Sequence, residues 1–332
     1  RMNIAVLYNK PTARFSADPT HKAAEEDTEH SANEVLAALK SKGAVVTPVS
    51  ITEDTIPQAV ASIEADLVFN LIEWTGVDTK YAMETFDAMN ARRLNYTGAT
   101  KQNYYDTCDK TITKRQCREH NLPTADWQEF VTGEEKITVS SYPVLVKVSA
   151  EHSSVGISLA SIAKDAENLK RIVKTRIRAF RQPVFAETFL PGREFQVTLI
   201  EKARGLAVLP PAEIAYAKGH TVPLLTYESR WDTGHHDYSN SVVKLAVLDA
   251  SLAHTLTKIS TAAFTELGFR DYARFDVRCD AEGHPYFLEL NSNPGLGDDD
   301  EYGMTLSYKA VGMTFADFVW EIVQSARRRS TV

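Results

Sequence analysis

The stretch RFDVRCDAEGHPYFLELNSNPG, Arg274 to Gly295, carries charge where a sheet normally carries packing. Successive side chains of a strand point to opposite faces. Arg274 and Asp276 therefore share one face, with Phe275 and Val277 on the other, and Glu289 and Asn291 share a face with Leu288 and Leu290 opposite. With Glu282 and Gly283 at the centre of a tight turn, Asp276 falls opposite Glu289 and Arg274 opposite Asn291; a bulge at Gly283 would slip the pairing by one. Facing carboxylates repel one another. A hard divalent cation, held by oxygen ligands and shared with substrate phosphates, relieves that repulsion. The alternative is an ordinary hairpin with a solvated outer face. The convergence of acid, amide and arginine beside the NSNPG turn favours the metal.

Other residues could serve the same chemistry. Lys147 stands inside the apolar strand VLVKVS, where an unpaired charge is costly to bury. The small residues of AEHSSVGIS that follow leave backbone N–H groups free to approach phosphate oxygens. The plainer account is a lysine snorkelling at a strand end before a hairpin loop. Neither GxxxxGK[ST] nor GxGxxG occurs. Lys110, on a basic helix, can add charge to the same phosphates or simply be solvated. Glu187 and Glu194, flanking TFLPGR, suit a ribose or an adenine amino group, or a surface. In WDTGHHDYS the adjacent His235 and His236 of a strand would point apart, and no further ligand pair has a zinc spacing. That segment reads as a polar loop.

The elements that must position these groups follow from the pattern. NIAVLY, AVVTPVSI and ADLVFNLI read as strands alternating with helices in SANEVLAALKSKGA, capped by Ser31 and Glu34, and KYAMETFDAMNARR. That alternation predicts a parallel sheet. Beyond Lys101 come a basic helix DTCDKTITKRQCREHNLP, a strand–loop–strand around EHSSVG and a positively charged helix SIAKDAENLKRIVKTRIRAF. A strand pair around LPGRE, a helix from Asp249 to Gly268, the hairpin and a last helix capped by Thr314 and Asp317 complete the chain. The 332 residues allow two or three domains. At 43% hydrophobic and 24% charged with net charge −7, the chain lacks the basic footprint of a general nucleic-acid binder. Its three cysteines form no disulfide set or metal spacing, and no apolar run spans a bilayer. RMNIAVLY is too short for a signal peptide, and Arg1 before Met2 reads as an expression remnant. A cytoplasmic protein is expected.

The order of these features resembles the D-alanine–D-alanine ligase-like family of ATP-grasp ligases. Lys110, then Lys147 before EHSSVGIS, Glu187 before FLPGREF, then ARFDVR and FLELNSNPG carry the resemblance, and VFNLIEWTG, LNYTGA and CDK extend it toward the start. It implies an α/β fold, α+β in its ATP-binding part: a pre-ATP-grasp parallel-sheet domain over residues 1–98, a central subdomain over 99–186 and a C-terminal subdomain over 187–332. By the resemblance, Lys110 and Lys147 hold ATP phosphates, and Glu187 and Glu194 contact adenine and ribose near Leu190. Asp276, Glu289 and Asn291 bind Mg2+, as two ions, and Arg274 steadies the charge developing at the reacting carbonyl. The loop Ser153–Ser154–Val155–Gly156 closes over the γ-phosphate and the first substrate. ATP would phosphorylate a carboxylate and an amine would displace the phosphate, with small-molecule substrates, no nucleic acid or membrane partner, and a homodimer implied.

Three departures bear on the substrate. The family's glycine-rich start with Ser-x-Glu is replaced by YNKPTARFSADPTHKAAEEDTEHS, where Glu25, Glu26 or Glu29 is a candidate for the lost acid. YESRW offers Arg230 and Trp231 in place of a Lys-Tyr, so the tyrosine that would bond Ser153 is absent. After Gly295, a short serine loop is replaced by LGDDDEYGMTL, whose acids Asp298 to Glu301, beside Tyr302, would repel a carboxylate and either receive a cation or face solvent. The expectation is a carboxylate–amine ligase acting on amino-acid-like substrates other than two D-alanines. Authentic D-alanine–D-alanine synthesis and a non-catalytic ATP-binding protein of the same fold are the alternatives.

Overall fold

The computed structural model describes residues 1–13, 22–151, 154, 156–218, 223–238 and 240–330, with the backbone alone over 22–27. The strands are β1 (Asn3–Asn9), β2 (Val45–Ile51), β3 (Leu67–Asn70), β4 (Trp127–Phe130), β5 (Val144–Val148), β6 (Ile162–Ala163) and β7 (Val184–Thr188). They continue with β8 (Glu194–Lys202), β9 (Gly205–Val208), β10 (Ala212–Tyr216), β11 (Ser241–Leu245), β12 (Tyr272–Cys279) and β13 (Pro285–Asn291). The helices are α1 (Lys22–Ser41), α2 (Ile56–Ala61), α3 (Thr79–Ala91), α4 (Lys101–Cys108) and α5 (Lys110–Glu119). Then follow α6 (Ala166–Phe180), α7 (Tyr227–Trp231), α8 (Ala250–Glu266), α9 (Gly303–Ala310) and α10 (Phe315–Ser330).

Three sheets follow one another along the chain. The first is parallel, in the order β2-β1-β3. Its central strand is covered on both faces, which is why IAVLY is apolar without alternation. Ile4, Val6 and Tyr8 pack with α1 and α10, while Ala5 and Leu7 pack with α2, α3 and α4. The C-terminal helix thus returns to the opening sheet. Arg329 on α10 pairs with the buried Asp271 at the head of β12 and donates to Tyr96 O at 2.9 Å.

The second sheet is antiparallel, β4-β7-β5-β6, with α6 on one face. Val144, Val146, Val148, Val184 and Ala186 face that helix, so the strand period of two sends Lys147 and Glu187 to the other face. The third sheet, β11-β10-β8-β12-β13 with β9 beside β8, packs Phe195, Val197, Phe275, Val277, Phe287 and Leu290 under α8. Its other face carries Glu194, Gln196, Arg274, Asp276, Arg278, Glu289 and Asn291, all of which line one cavity. Among the described residues no helix is long and apolar enough to cross a membrane.

Four local expectations need correction. The helix expected from Ser31 spans Lys22–Ser41; the Ala- and Glu-rich residues ahead of Ser31 are good helix formers, and Ser31 sits mid-helix on the cavity wall. The basic helix expected from 106 to 123 is broken at Asp109, whose carboxylate caps the next helix by accepting from Thr111 N at 2.8 Å. Lys110 is therefore the first residue of α5 and not a mid-helix charge. The strands around LPGRE do not pair with each other: β7 belongs to the second sheet and β8 to the third. The link crosses between them at Gly192, where a Cβ would lie 2.6 Å from Cys279 O and 2.5 Å from Asp280 O.

The fourth concerns the hairpin. The pairs Arg274↔Asn291 and Asp276↔Glu289 form as expected, but beyond a bulge after Asp276 the register becomes Val277↔Phe287 and Cys279↔Pro285. The turn is wider than a two-residue one, and the unpaired Leu288 restores the register at the charged end. Leu288 consequently lines the cavity and does not join Leu290 in the core.

Candidate active site

The second and third sheets face each other across a cavity of about 830 Å3 that opens at the carboxyl end of β3. At its inner wall, Glu187 on β7 is clamped between two lysines. Lys147 Nζ lies 2.5 Å from Oε1 and Lys114 Nζ 2.8 Å from Oε2, all three side chains being under a tenth exposed. Lys114 also donates to Thr124 Oγ1 at 2.9 Å and lies 5.1 Å from the centre of the Trp127 ring. Burial alone would raise the Glu187 carboxyl, but Lys114 and Lys147 outweigh it and hold it at about 2. Sequence reasoning missed Lys114. Its signal was the spacing from Lys110, since residues four apart share a helix face.

Lys110 is buried and donates to the carbonyl of Glu151, while its Nζ lies 3.6 Å from Glu289 Oε1. It thereby ties the loop that follows β5 to the hairpin across the cavity. Arg274 grips Asp276 with a fork, Nε to Oδ1 at 2.9 Å and Nη2 to Oδ2 at 3.1 Å. Asn291, in the amide orientation its neighbours dictate, donates to Glu289 and accepts from Arg274, both at 3.1 Å. Burial raises the Asp276 carboxyl; Arg274 opposes that and Glu289 adds to it. Two carboxylates and an amide oxygen on one face form a donor set that fits a hard cation, in place of the arginine and lysine that now pair with the two acids.

At the outer end, Glu194 Oε2 accepts from Tyr216 Oη at 2.8 Å and from Arg278 Nη1 at 3.1 Å. Leu190, Ser154, Arg230, Trp231, Gly295 and Tyr302 all line the cavity. Gly156 does not. It turns against α6, where a Cβ would meet Phe180 and Val148 at 3.0 Å, and Ile157 takes the place in the wall. Ser153 and Val155 lie outside the described residues.

The acidic loop divides. Asp298 is absent from the wall: its carboxylate accepts from Tyr308 Oη at 3.1 Å and pairs with Lys309 at 3.2 Å. Asp299, Asp300 and Glu301 line the mouth. Of the acids considered near the start, Glu29 is exposed, and the side chains of Glu25 and Glu26 lie outside the described residues.

Glu73 is the acid that sequence reasoning overlooked. Its N–H donates to the buried Asn9 Oδ1 at 2.7 Å, and Thr28 donates to its Oε2 at 3.2 Å. Its other oxygen passes so close to Gly295 that a Cβ there would lie 2.8 Å away. An acid directly after a buried parallel strand was the available signal, because ligands bind beyond the carboxyl ends of such strands. The NSNPG turn is docked on the same strand end, Asn293 Nδ2 donating to Asn70 O at 3.2 Å and Ile72 O at 3.1 Å.

Other candidates fall away. Cys108, Cys117 and Cys279 are buried and free, and burial pushes the Cys108 thiol, on the cavity wall, up to about 12, too high for a nucleophile. Among the described residues, the one grouping of three His, Cys, Asp or Glu near enough to share an ion is Asp280, Glu282 and His284 in the exposed hairpin turn, outside the cavity wall. The histidines of WDTGHHDYS are not part of it.

Solved structures share this architecture. The chain superposes on D-alanine–D-alanine ligase from Bacillus anthracis, complexed with ATP, with a TM-score of 0.77 over 99% of this chain and 98% of that one at 19% identity. It superposes on D-alanyl-alanine synthetase A from Vibrio cholerae with a TM-score of 0.73, over 98% of each chain at 16% identity. At such identities the likeness establishes the fold, and that fold is an ATP-grasp. In sequence, residues 117–324 match the family described as D-ala D-ala ligase C-terminus. The uncharacterized protein y4sG of Sinorhizobium fredii is 30% identical over 298 residues, 90% of this chain and 84% of that protein. The D-alanine–D-alanine ligase of Thermotoga maritima is 26% identical over 89% of this chain and 91% of its own. The chain belongs to the D-alanine–D-alanine ligase family. It is an ATP-dependent ligase that forms carbon–nitrogen bonds and releases ADP.

Proposed function

We propose that this ligase joins an amino acid, as the carboxylate partner, to an amine that carries positive charge, and that its pair is not two D-alanines. The observation that carries the substrate reading is the sign of the groups around the acceptor half of the cavity. Asp299, Asp300 and Glu301 line it, Asp300 pairing with Lys309 at 2.9 Å, while the nearby Arg274 is already forked to Asp276. A second substrate ending in a carboxylate would approach that rim against repulsion.

In this reading the second and third sheets grip the nucleotide, within segments 99–186 and 187–332. Lys110 and Lys147 neutralise its phosphates, and Glu187 and Glu194 receive hydrogen bonds from its base and ribose. Asp276, Glu289 and Asn291 would hold Mg2+, which supplies Lewis-acid charge to the phosphoryl group in transfer. Arg274 leaves its fork to stabilise the oxygen of the reacting carboxyl, a contact of the oxyanion type worth about 3 kcal/mol. Glu73, beside Arg274 and over Gly295, accepts from the ammonium of the carboxylate partner, so that a zwitterion is held by both charges. Ser154 and Ile157 help to keep water from the acyl phosphate that forms.

The test is phosphate release from MgATP with paired amino acids of both hands and with di-cationic amines, the products identified by mass spectrometry. Turnover requiring a cationic amine supports the reading. Turnover with D-alanine alone replaces it with D-alanine–D-alanine synthesis, and turnover only with neutral or anionic amines overturns the cationic acceptor.

A further inference from the structure

Arg278 is a buried cation in the nucleotide half of the cavity with no part in the chemistry described so far. It lies on β12 in the row Arg274, Asp276, Arg278 that the strand period turns to the cavity, and it is 3% exposed. Across the β12–β8 pair it stands directly opposite Glu194 in register. Nη1 donates to Glu194 Oε2 at 3.1 Å and Nη2 to Pro223 O at 2.5 Å. The guanidinium is flanked by the rings of Phe189, 5.1 Å away in the link after β7, and Tyr216, 5.8 Å away. It is thus fixed from four directions, by β8, β10, the β7–β8 link and the segment leading into α7.

Both bonds that Glu194 receives, from Arg278 and from Tyr216 at 2.8 Å, fall on Oε2. That arrangement fixes the plane of the carboxylate and leaves Oε1 to accept from a ligand. It also supplies the charge without which a buried carboxylate would be driven toward its neutral form. Burial raises the Glu194 carboxyl and Arg278 opposes it; the other charged or titratable neighbours are Tyr216, Asp276 and Lys147. A neutral carboxyl would be a poorer acceptor for ribose hydroxyls than a carboxylate, by the difference between ordinary and charge-assisted hydrogen bonds.

We infer that Arg278 is a positioning residue for nucleotide recognition: it holds the Glu194 carboxylate aimed so that Oε1 reads a ribose hydroxyl. The inference rests on the proposed placement of the nucleotide between the second and third sheets.

Calorimetric titration with ADP, 2′-deoxy-ADP and 3′-deoxy-ADP separates the possibilities. The wild-type protein should bind ADP about tenfold more tightly than at least one of the deoxy nucleotides, the worth of one hydrogen bond to a charged acceptor. Arg278→Met should bind all three within about twofold of one another, at the level of the weaker deoxy nucleotide, and Arg278→Lys should recover part of the discrimination. A merely structural defect would weaken all three ligands equally and keep their ratio. Should Arg278→Met leave a buried charge that prevents folding, Arg278→Met/Glu194→Gln removes both charges and should show the same lost ratio. Retention of the wild-type ratio in either variant overturns the inference, as does a wild-type protein indifferent to the ribose hydroxyls. A wild-type protein that binds no ADP overturns the nucleotide placement itself.

Discussion

Lys147 and Glu187 are diagonal neighbours on adjacent strands, both side chains nearly buried and their Nζ and Oε1 atoms 2.5 Å apart. Lys114 reaches the same carboxylate from α5. The clamp joins a helix to the middle of the second sheet, so its protonation state is a matter of stability as well as of ligand binding.

The Glu187 carboxyl is held at about 2 against an ordinary value of 4.5. A depressed carboxyl stabilises the folded state in full above the unfolded value and loses that contribution as pH falls through the folded one. Thermal melts between pH 2 and 6 should therefore show a loss on the order of 3 kcal/mol, setting in below about pH 4.5. Glu187→Gln should lack that part of the acid slope. Parallel slopes in the two proteins would rule out the clamp as its source.

Asp276→Asn and Glu289→Gln should each remove magnesium-dependent turnover while leaving the far-ultraviolet circular dichroism unchanged. The two side chains face each other in register and share one cavity. Normal activity in both variants would sink the metal assignment.

Gly192→Ala places a methyl group within 2.6 Å of the Cys279 carbonyl, a backbone atom that cannot swing aside. Overpacking of this kind costs about 1–3 kcal/mol. Because the clash falls in the link between the second and third sheets, the Kd for ATP should also rise. A melting temperature and affinity equal to wild type would show that the link adapts freely.

The acid rim separates into two experiments. Asp299→Asn/Asp300→Asn/Glu301→Gln should shift the preference away from cationic amines, read as the ratio of kcat/KM for a di-cationic amine and for a neutral one. Asp298→Ala, which releases Tyr308 and weakens the hold of Lys309, should change stability and leave that ratio near its starting value. An unchanged ratio in the triple variant would make the rim structural.

The part of the fold that sequence disclosed is the part governed by period and caps. Strand alternation placed Arg274, Asp276, Glu289 and Asn291 on one face, and Asp249, Thr314 and Asp317 cap the helices for which their side chains suited them. What escaped was set by contacts between distant segments. β7 and β8 do not pair because each finds its partners in a different sheet, a choice made by distant strands and not legible in LPGRE. Ser31 has the signature of a cap, yet the residues ahead of it prefer helix and carry it into the interior of α1. Glu73 is unremarkable in NLIEWTG; it acquires a role only because Asn9 and Gly295 meet it from opposite ends of the chain. Asp298 and Asp299 are adjacent acids, but the first is absent from the cavity wall and accepts from Tyr308 on the next helix.

The link through Gly192 has a mechanical corollary. Glu187 and Glu194 are seven positions apart in sequence, yet they stand on strands of different sheets, one on either side of that crossing. A ligand that touches both acts like a bolt through two plates: the angle between the plates and the occupancy of the bolt become a single equilibrium. Any substitution that biases the angle will then register as a change in nucleotide affinity, even where it lies far from every atom of the nucleotide.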